Sequence, residues 1–290
     1  MKIQIMTDLE GPAGVNGQRN AEIGIGGKIV NLPTAAARLA REVNACVEGL
    51  TAAGAGEIVV WDGHGGSDTL DIAQLHPAAS LGTIGGDLAP ACFIDAGFAA
   101  AVQIGAHAMQ GTADGYLCHT FNGRSVQEMR LNGEAIGEIG MGALLAGYFG
   151  VPTILVSGDR AACREASAFL GPAAATVATK DASSRYTVVN RPAADVERDL
   201  AAAAAEALGR VRDIPPPRLA PPYELRLRLM CPNQADMYEK AGAERVDRQT
   251  VVFAGDDLVD LWAQYCGWAP GVHNRKFGIR PVGGVLRTSE

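Results

Sequence analysis

The chain has 290 residues, of which 48% are hydrophobic and 20% charged, and its formal net charge is −7 at pH 7, with a pI near 5.3. An acidic chain without a basic stripe cannot neutralise a phosphate backbone, which argues against a nucleic-acid partner. Glycine or charged residues interrupt the apolar runs well before the ~18 residues that a membrane span needs, so no transmembrane segment is expected. Small molecules or short peptides are the expected partners.

The N-terminus and the cysteines predict a cytoplasmic location. Met1-Lys2 leads directly into a β-rich run, without the apolar core and cleavage site of a signal peptide. The six cysteines contain no CxxC pair, which argues against a ribbon-type zinc site and against a disulfide framework. The chain length allows one large α/β domain together with a smaller second one.

Two carboxylates follow the first predicted strand, residues 2–6. Asp8 and Glu10 are two positions apart, so in an extended segment they share one face at a separation of roughly 6.5 to 7 Å. Like charges at the end of a strand repel each other unless a cation lies between them, and a divalent metal ion is the compact candidate. The alternative is that one carboxylate caps a following helix while the other faces solvent.

A long glycine-rich stretch, residues 13–33, comes next. Its glycine spacing does not match the GxGxxG of a dinucleotide site. A P-loop would need GK[ST], whereas this chain has Gly27-Lys28-Ile29. A loop of this length inside a compact domain usually has a function or lies at an oligomer contact.

The following elements predict a βαβ unit. Thr34 is a predicted N-cap of a helix whose apolar residues recur at helical spacing until a glycine ends it. The β-branched run 57–62 then predicts a buried strand that is followed by His64. A right-handed crossover makes this strand parallel to the first, so we expect His64 beside Asp8 and Glu10 at one edge of the sheet.

Two further apolar runs carry histidines. Residues 100–105 predict a third strand that is followed by His107, and the run 116–121, which contains His119, is expected to be extended as well. Cys118 is the neighbour of His119. Adjacent side chains of an extended segment point to opposite faces, so we interpret this cysteine as structural rather than as a nucleophile.

Strands and helices alternate through the rest of the chain. The predicted elements are a hairpin over 126–136 that turns at Asn132-Gly133, a helix over 139–148 with Glu138 in its first turn, a strand over 152–157, and helices over 159–170 and 193–208. Residues 214–222 are a stiff proline-rich connector and the predicted domain boundary. Beyond it the pattern predicts a strand over 225–229, a helix over 234–241, a strand over 250–254 and a helix over 257–268.

These elements predict an α/β fold. We expect a three-layer α/β/α catalytic domain with a mainly parallel sheet over residues 1–213, and a smaller C-terminal α/β subdomain with a tail over residues 214–290.

Carboxylates and imidazoles therefore converge at one edge of the predicted sheet. The candidates are Asp8, Glu10, His64, His107, His119 and Glu138. Imidazole combined with carboxylate suits zinc or another late first-row ion. The groups exceed what one catalytic zinc takes from a protein, whereas two ions bridged by Asp8 would use them. The GxSxG of serine hydrolases and the HExxH of zincins are both missing from the sequence.

The chain resembles the M55 peptidases through a set of short motifs. In chain order they are Asp8-x-Glu10-Gly11, Asp62-Gly63-His64-Gly65, Leu75-His76-Pro77, Gly105-x-His107, His119-Thr120-Phe121, Asn132-Gly133-x-x-x-Gly137-Glu138-x-Gly140 and Ser157-Gly158-Asp159. The likeness continues to about Gly267. It implies a zinc-dependent aminopeptidase that acts on short peptides with N-terminal D-residues such as D-alanine. It also implies a homo-oligomer, a decamer of two pentamers face to face.

The same resemblance implies which residues form the site. Two zinc ions per subunit would be held by Asp8, Glu10, His64, His107 and Glu138, and His119 would be the catalytic histidine. Whether His119 shuttles a proton or attacks directly stays open.

Two other functions are compatible with such a cluster. A dinuclear phosphoesterase, or another metal-dependent amidohydrolase, would mix Asp and His similarly. The phosphoesterase would place Asp-x-His on the first strand, where this chain has Asp8-x-Glu10. A non-catalytic scaffold would hold its metal in closed tetrahedra, with no open position for a substrate.

Overall fold

The computed structural model of the chain describes residues 1–19, 27–65, 67–83 and 94–279. The strands are β1 (Lys2–Thr7), β2 (Gly17–Arg19), β3 (Gly27–Ile29), β4 (Glu57–Asp62), β5 (Ala79–Gly82), β6 (Ala100–Ala106), β7 (Val126–Leu131), β8 (Glu134–Ala135), β9 (Thr153–Asp159), β10 (Ala175–Ser184), β11 (Thr187–Asn190), β12 (Tyr223–Leu229), β13 (Glu244–Arg245) and β14 (Thr250–Gly255). The helices are α1 (Leu32–Ala52), α2 (Glu138–Tyr148), α3 (Arg160–Leu170), α4 (Ala193–Gly209), α5 (Pro232–Lys240), α6 (Leu258–Tyr265) and α7 (Val272–Phe277).

Within the described residues, seven strands form the main sheet in the order β11-β10-β9-β6-β1-β4-β5. Neighbouring strands are parallel, except that β11 pairs with β10 in the antiparallel sense. Strand β1 lies between β4 and β6, and Thr7 at its end pairs with both Asp62 and Ile104. The predicted parallel pairing of β1 with β4 is confirmed, and the carboxyl ends of β4, β1 and β6 meet at one edge.

Helices cover both faces of this sheet. On one face, Ile5 of β1 packs in a cluster with Leu39 of α1 and Leu200 of α4, and all three are fully buried. On the other face, Ile139 of α2 packs with Val156 of β9 and with α3. Burial of each such aliphatic side chain contributes roughly 1.5–3 kcal/mol. A mainly parallel sheet flanked by helices confirms the predicted α/β class.

A second, antiparallel sheet lies beside the first. Its described strands follow the order β13-β14-β12-β7-β8, and its apolar side packs on α2 and α6. The β7–β8 turn has φ values of 49° at Asn132 and 85° at Gly133, which confirms the predicted hairpin. The sheet joins β7 and β8 with β12 to β14, which follow the proline connector. The domain division after residue 213 stays a prediction.

Sequence reasoning misjudged some segments. Residues 116–121, expected to be extended, form turns, because Leu117 (φ 50°) and Phe121 (φ 56°) adopt the left-handed region. The argument from alternating side chains therefore does not apply to Cys118, although this thiol is buried. Six described strands, β2, β3, β5, β10, β11 and β13, and helix α7 were not predicted.

The glycine-rich stretch is described in part. Strands β2 and β3 pair as a small antiparallel ribbon, and residues 20–26 between them lie outside the described residues, as do residues 280–290 of the predicted tail. None of the described helices combines the length and the apolar character that crossing a membrane requires.

Candidate metal centre

The candidate site residues lie together at the carboxyl end of the main sheet. They are Asp8 and Glu10 after β1, His64 after β4, His107 after β6, His119 in the loop before β7, and Glu138 in the first turn of α2. All of them line the same cavity. The prediction that the ends of neighbouring parallel strands bring side chains together is confirmed for Asp8, Glu10, His64 and His107. His119 reaches the cavity from a turn and Glu138 from a helix.

Two glycines allow the loops after β1 and β6 to approach each other. The amide of Gly11 donates to the carbonyl of Gly105 at 2.8 Å, and the amide of Asp8 donates to Ile104 at 2.9 Å. A Cβ on Gly105, where φ is +80°, would lie 2.1 Å from the carbonyl oxygen of Asp8. A side chain at this position is therefore excluded, and the close approach places Asp8 beside the histidine that follows β6.

Asp8 lies between two imidazoles. Its Oδ1 is 3.1 Å from Nδ1 of His64, and its Oδ2 is 3.2 Å from Nε2 of His107. The amide of Leu9 also donates to Oδ1 at 2.8 Å, which fixes the carboxylate plane. Each oxygen of one carboxylate thus faces a different histidine.

A second carboxylate accompanies each histidine. Oε2 of Glu10 lies 3.2 Å from Nδ1 of His64, and Oε1 of Glu138 lies 3.2 Å from Nε2 of His107. The amide of Phe121 donates to the same oxygen of Glu138 at 2.7 Å. The cluster therefore has two halves, each with one imidazole and one carboxylate of its own.

Two buried atoms of this cluster have no hydrogen-bond partner, namely Oε2 of Glu10 and Nε2 of His107. His107 donates from Nδ1 to the carbonyl of Ala108 at 3.0 Å, so Nε2 is the nitrogen that faces the carboxylates of Asp8 and Glu138. Beside carboxylate oxygens this nitrogen requires a positive charge, either its own proton or a metal cation. Because buried polar atoms are rarely left unsatisfied, this donor set fits a metal ion, and both ligand types suit zinc.

The cluster also shifts the pKa values of its members. Burial lowers the pKa of His107, but the charges of Glu138 and Asp8 outweigh burial and hold that pKa well above its usual value. Burial likewise lowers the pKa of His64, whereas Glu10 and Asp8 raise it to about 11. Burial raises the pKa of Asp8, but the neighbouring histidines hold it well below its usual value. The carboxylates thus favour positive charge between them, which a divalent ion supplies.

His119 stacks on His107, with ring centroids 3.9 Å apart and planes inclined by 19°. Its Nδ1 donates to the carbonyl of Leu117 at 2.8 Å, which leaves Nε2 directed towards Glu138, whose Oε1 is 3.7 Å away. Leu117 has a left-handed backbone conformation, with φ of 50°, and its carbonyl points to the His119 ring. His119 therefore presents one nitrogen to the site while the other is held by the main chain.

Ligand atoms form two overlapping groups among the described residues. One group is Asp8, Glu10 and His107, the other is His107, His119 and Glu138, and within each group the atoms lie within 4.8 Å of one another. His119 is thus close enough to be a ligand as well as to take part in chemistry. Its catalytic role stays a prediction.

Two residues that sequence reasoning missed, Lys180 and Glu42, hold the loop after β1 in place. Nζ of Lys180, on β10, donates to the carbonyls of Glu10 (2.8 Å) and Val15 (3.1 Å), and the side chain is fully buried. Glu42 of α1 accepts from the amide of Ala13 at 2.6 Å. The β-branched residues around Lys180 were the available signal for this strand, but nothing in the sequence connects a lysine there with Glu10.

The cavity has a volume of about 910 Å³, at the upper end of the range for small-molecule sites. Apart from the cluster of carboxylates and imidazoles its lining is largely apolar and includes Met6, Trp61, Phe121, Trp262 and Tyr265. Phe121 and Trp262 pack with ring centroids 4.6 Å apart. Part of the glycine-rich stretch, residues 27–29, also lines the cavity. The space accommodates a short peptide.

Comparison with known proteins places this site in a family. The model of the Peptidase M55 family, described as D-aminopeptidase, matches residues 1–265. A D-aminopeptidase of Bacillus subtilis (strain 168) is 31% identical over 198 residues, which are 65% of this chain and 66% of that protein, slightly less than two thirds of its length.

A solved structure shows the same fold. It is the Zn-dependent D-aminopeptidase DppA from Bacillus subtilis, described as a self-compartmentalizing protease, and it matches with a TM-score of 0.82 and 28% identity. The match covers 91% of this chain and 95% of that chain. With the family model matched over most of its length, the chain belongs to the M55 peptidase family.

Proposed function

We propose that this protein is a zinc-dependent aminopeptidase that hydrolyses the first bond of short peptides and prefers N-terminal D-residues such as D-alanine. One observation carries the proposal: the oxygens of Asp8 face His64 at 3.1 Å and His107 at 3.2 Å, as in a carboxylate shared by two metal ions. The descriptions of the M55 relatives support the D-residue specificity. Membership of this family also favours the peptidase over a phosphoesterase.

Two zinc ions per chain are part of the proposal. Glu10 and His64 would hold one ion, His107 and Glu138 the other, and Asp8 would bridge them. The support is the division of the cluster into two halves and the unpartnered Oε2 of Glu10 and Nε2 of His107. Zinc bound at such a site polarises a scissile carbonyl and lowers the pKa of a bound water to about 7.

His119 is the proposed catalytic residue. Because Nδ1 donates to the Leu117 carbonyl, a proton can be taken up or released only at Nε2, which faces the cavity. Stacking on His107 keeps the ring in one orientation. Proton transfer and direct attack would both use this nitrogen, and a leaving amine needs the proton that Nε2 can deliver.

The proposed enzyme is a cytoplasmic homo-oligomer, with the decamer as first choice. The DppA structure is described as self-compartmentalizing, which supports assembly. The described cysteines are free thiols, as expected in the cytosol.

Metal analysis combined with four substrates tests the proposal. Zinc-loaded protein should contain about two ions per chain and should cleave D-Ala p-nitroanilide faster than the L form, with no cleavage of the N-acetylated substrates. Equal or faster turnover of the L form would contradict the D preference, and cleavage of the acetylated form would contradict the aminopeptidase assignment. Phosphatase activity without peptidase activity would favour the phosphoesterase.

A further inference from the structure

A cationic side chain lies on the cavity wall outside the metal cluster. Arg185 sits in the turn between β10 and β11 and lines the cavity. Its carbonyl accepts from the amide of Leu117 at 2.9 Å, so the turn is attached to the segment that carries His119. The main chain of Arg185 is therefore held beside the segment that carries the proposed catalytic histidine.

Arg185 forms no ion pair with any residue in the described parts of the chain. Its closest polar contact is a long one, 3.5 Å from Nη1 to Oε1 of Gln110, and its buried Nε has no hydrogen-bond partner. Arg164 and Arg191, by contrast, pair with aspartates at 2.6 and 2.5 Å. A partly buried cation without a counter-ion is unfavourable, so Arg185 is suited to an anion that arrives with a ligand.

Arg185 is also close to the reaction centre. A Cβ on Gly123 would lie 3.1 Å from Cβ of His119 and 3.3 Å from Nη2 of Arg185. The two side chains thus flank the same point, and only glycine leaves the space between them open. An extended residue spans about 3.3–3.6 Å. A substrate group one or two residues beyond the peptide bond that is hydrolysed next to His119 can therefore reach the guanidinium.

We propose that Arg185 binds the C-terminal carboxylate of the substrate, so that the enzyme is selective for dipeptides and tripeptides with a free C-terminus. This inference rests on the proposed function: an aminopeptidase cleaves after the first residue, so a dipeptide carries its carboxylate one residue beyond the cleaved bond. A guanidinium binds a carboxylate through two parallel hydrogen bonds, which fixes its distance and its orientation.

Two other basic residues, Lys28 and Arg124, line the cavity. Both are exposed, whereas Arg185 is half-buried and anchored through its own carbonyl. Partial burial strengthens the attraction to a carboxylate because water screens the charge less. The geometry therefore assigns the carboxylate to Arg185 rather than to these residues.

Matched substrates with and without the carboxylate test the assignment. We would measure kcat and KM of the zinc-loaded enzyme with D-Ala-D-Ala, with its C-terminal amide and with D-Ala p-nitroanilide. Arg185→Gln should lower kcat/KM for D-Ala-D-Ala by about 10- to 100-fold, mainly through KM, since charge-assisted hydrogen bonds are lost. The amide and the anilide should be unaffected, and Arg185→Lys should recover part of the loss.

The control is Arg198→Gln, which removes a cation from an exposed ion pair with Asp195 on α4. It should leave the kinetics with all three substrates unchanged. An equal loss on charged and neutral substrates in Arg185→Gln would overturn the inference, as would a selective loss in Arg124→Gln instead. Wild-type enzyme that cleaves none of the substrates would contradict the proposed function, whereas cleavage with unaltered Arg185→Gln kinetics would contradict only the role of Arg185.

Discussion

Lys180 and Glu10 are joined inside the core: Nζ of Lys180 lies 2.8 Å from the carbonyl oxygen of Glu10. The same ammonium donates to the carbonyl of Val15 at 3.1 Å and lies 4.7 Å from the ring centroid of Tyr116. The Lys180 ammonium thus fixes the main chain at Glu10, a proposed metal ligand, and at Val15, five residues further along the same loop.

We expect Lys180→Met to lower the free energy of unfolding of the metal-free protein by about 1–3 kcal/mol, because two buried carbonyls lose their donor. It should also weaken zinc binding, since the backbone at Glu10 is no longer fixed. Urea unfolding and zinc titration measure the two effects. The control is Lys240→Met, at an exposed position of α5, and equal stability of the two variants would contradict the role of Lys180.

His107→Ala and His64→Ala should each lower the zinc content and abolish peptidase activity, because each removes an imidazole that faces Asp8. Metal analysis of the purified variants, together with the D-Ala p-nitroanilide assay, checks both effects. His76→Ala is the control, since this histidine accepts from Ala78 in a loop outside the cluster. Full zinc content in both site variants would remove the basis of the proposed centre.

His119→Ala should keep its zinc and lose about 10²- to 10⁴-fold in kcat, the usual contribution of a proton-transfer group. Cys118→Ala provides the neighbouring control, because burial raises the pKa of this thiol and keeps it protonated. Loss of zinc in His119→Ala would show instead that His119 is a ligand, and near wild-type turnover would show that it is not needed for catalysis.

Glu42 should make the protein less stable as the pH rises from about 4.5 to about 7. Burial raises the pKa of Glu42 from 4.5 to about 7, against the lowering effects of the Ala13 amide and Lys180. In this window the unfolded chain has released a proton that the folded chain retains, so the free energy of unfolding falls with rising pH.

Glu42→Gln should therefore flatten this part of the pH profile. Urea unfolding of the metal-free proteins at several pH values measures the difference. Glu48→Gln, at an exposed position of the same helix, should keep the wild-type slope. Parallel profiles for wild type and Glu42→Gln would contradict the prediction.

The protein should sediment as a closed oligomer, with ten copies as first choice. Sedimentation equilibrium should return a mass several times that of the 30.1 kDa chain. A mass equal to one chain at working concentrations would refute the assembly.

Much of the site followed from the sequence because strand ends are topologically determined. Asp8, His64 and His107 each follow an apolar strand, and parallel pairing of adjacent strands brings such ends together. Lys180 and Arg185 escaped prediction for the opposite reason. Lys180 lies on β10 and donates to main-chain carbonyls that are distant in sequence, and Arg185 lies in the following turn and lines the cavity. Neither arrangement produces a recognisable pattern in the sequence.

The segment 116–121 shows the limit of periodicity. Tyr116, Leu117 and Cys118 are buried, as in a strand, but left-handed backbone at Leu117 and Phe121 turns the chain twice. Leucine and phenylalanine rarely adopt this conformation, so local propensity favoured the extended form. The surrounding contacts override it, and the hydrogen bond from Nδ1 of His119 to Leu117 depends on the result.

Part of the aromatic lining of the cavity is encoded far from the proposed ligands. Every proposed ligand precedes residue 139, whereas Trp262 and Tyr265 lie on α6, beyond the proline connector. Mutations that reshape α6 can therefore change which side chain is accepted without altering any ligand codon. Substitutions in α6 are therefore one route to a different substrate range that leaves the proposed ligands intact.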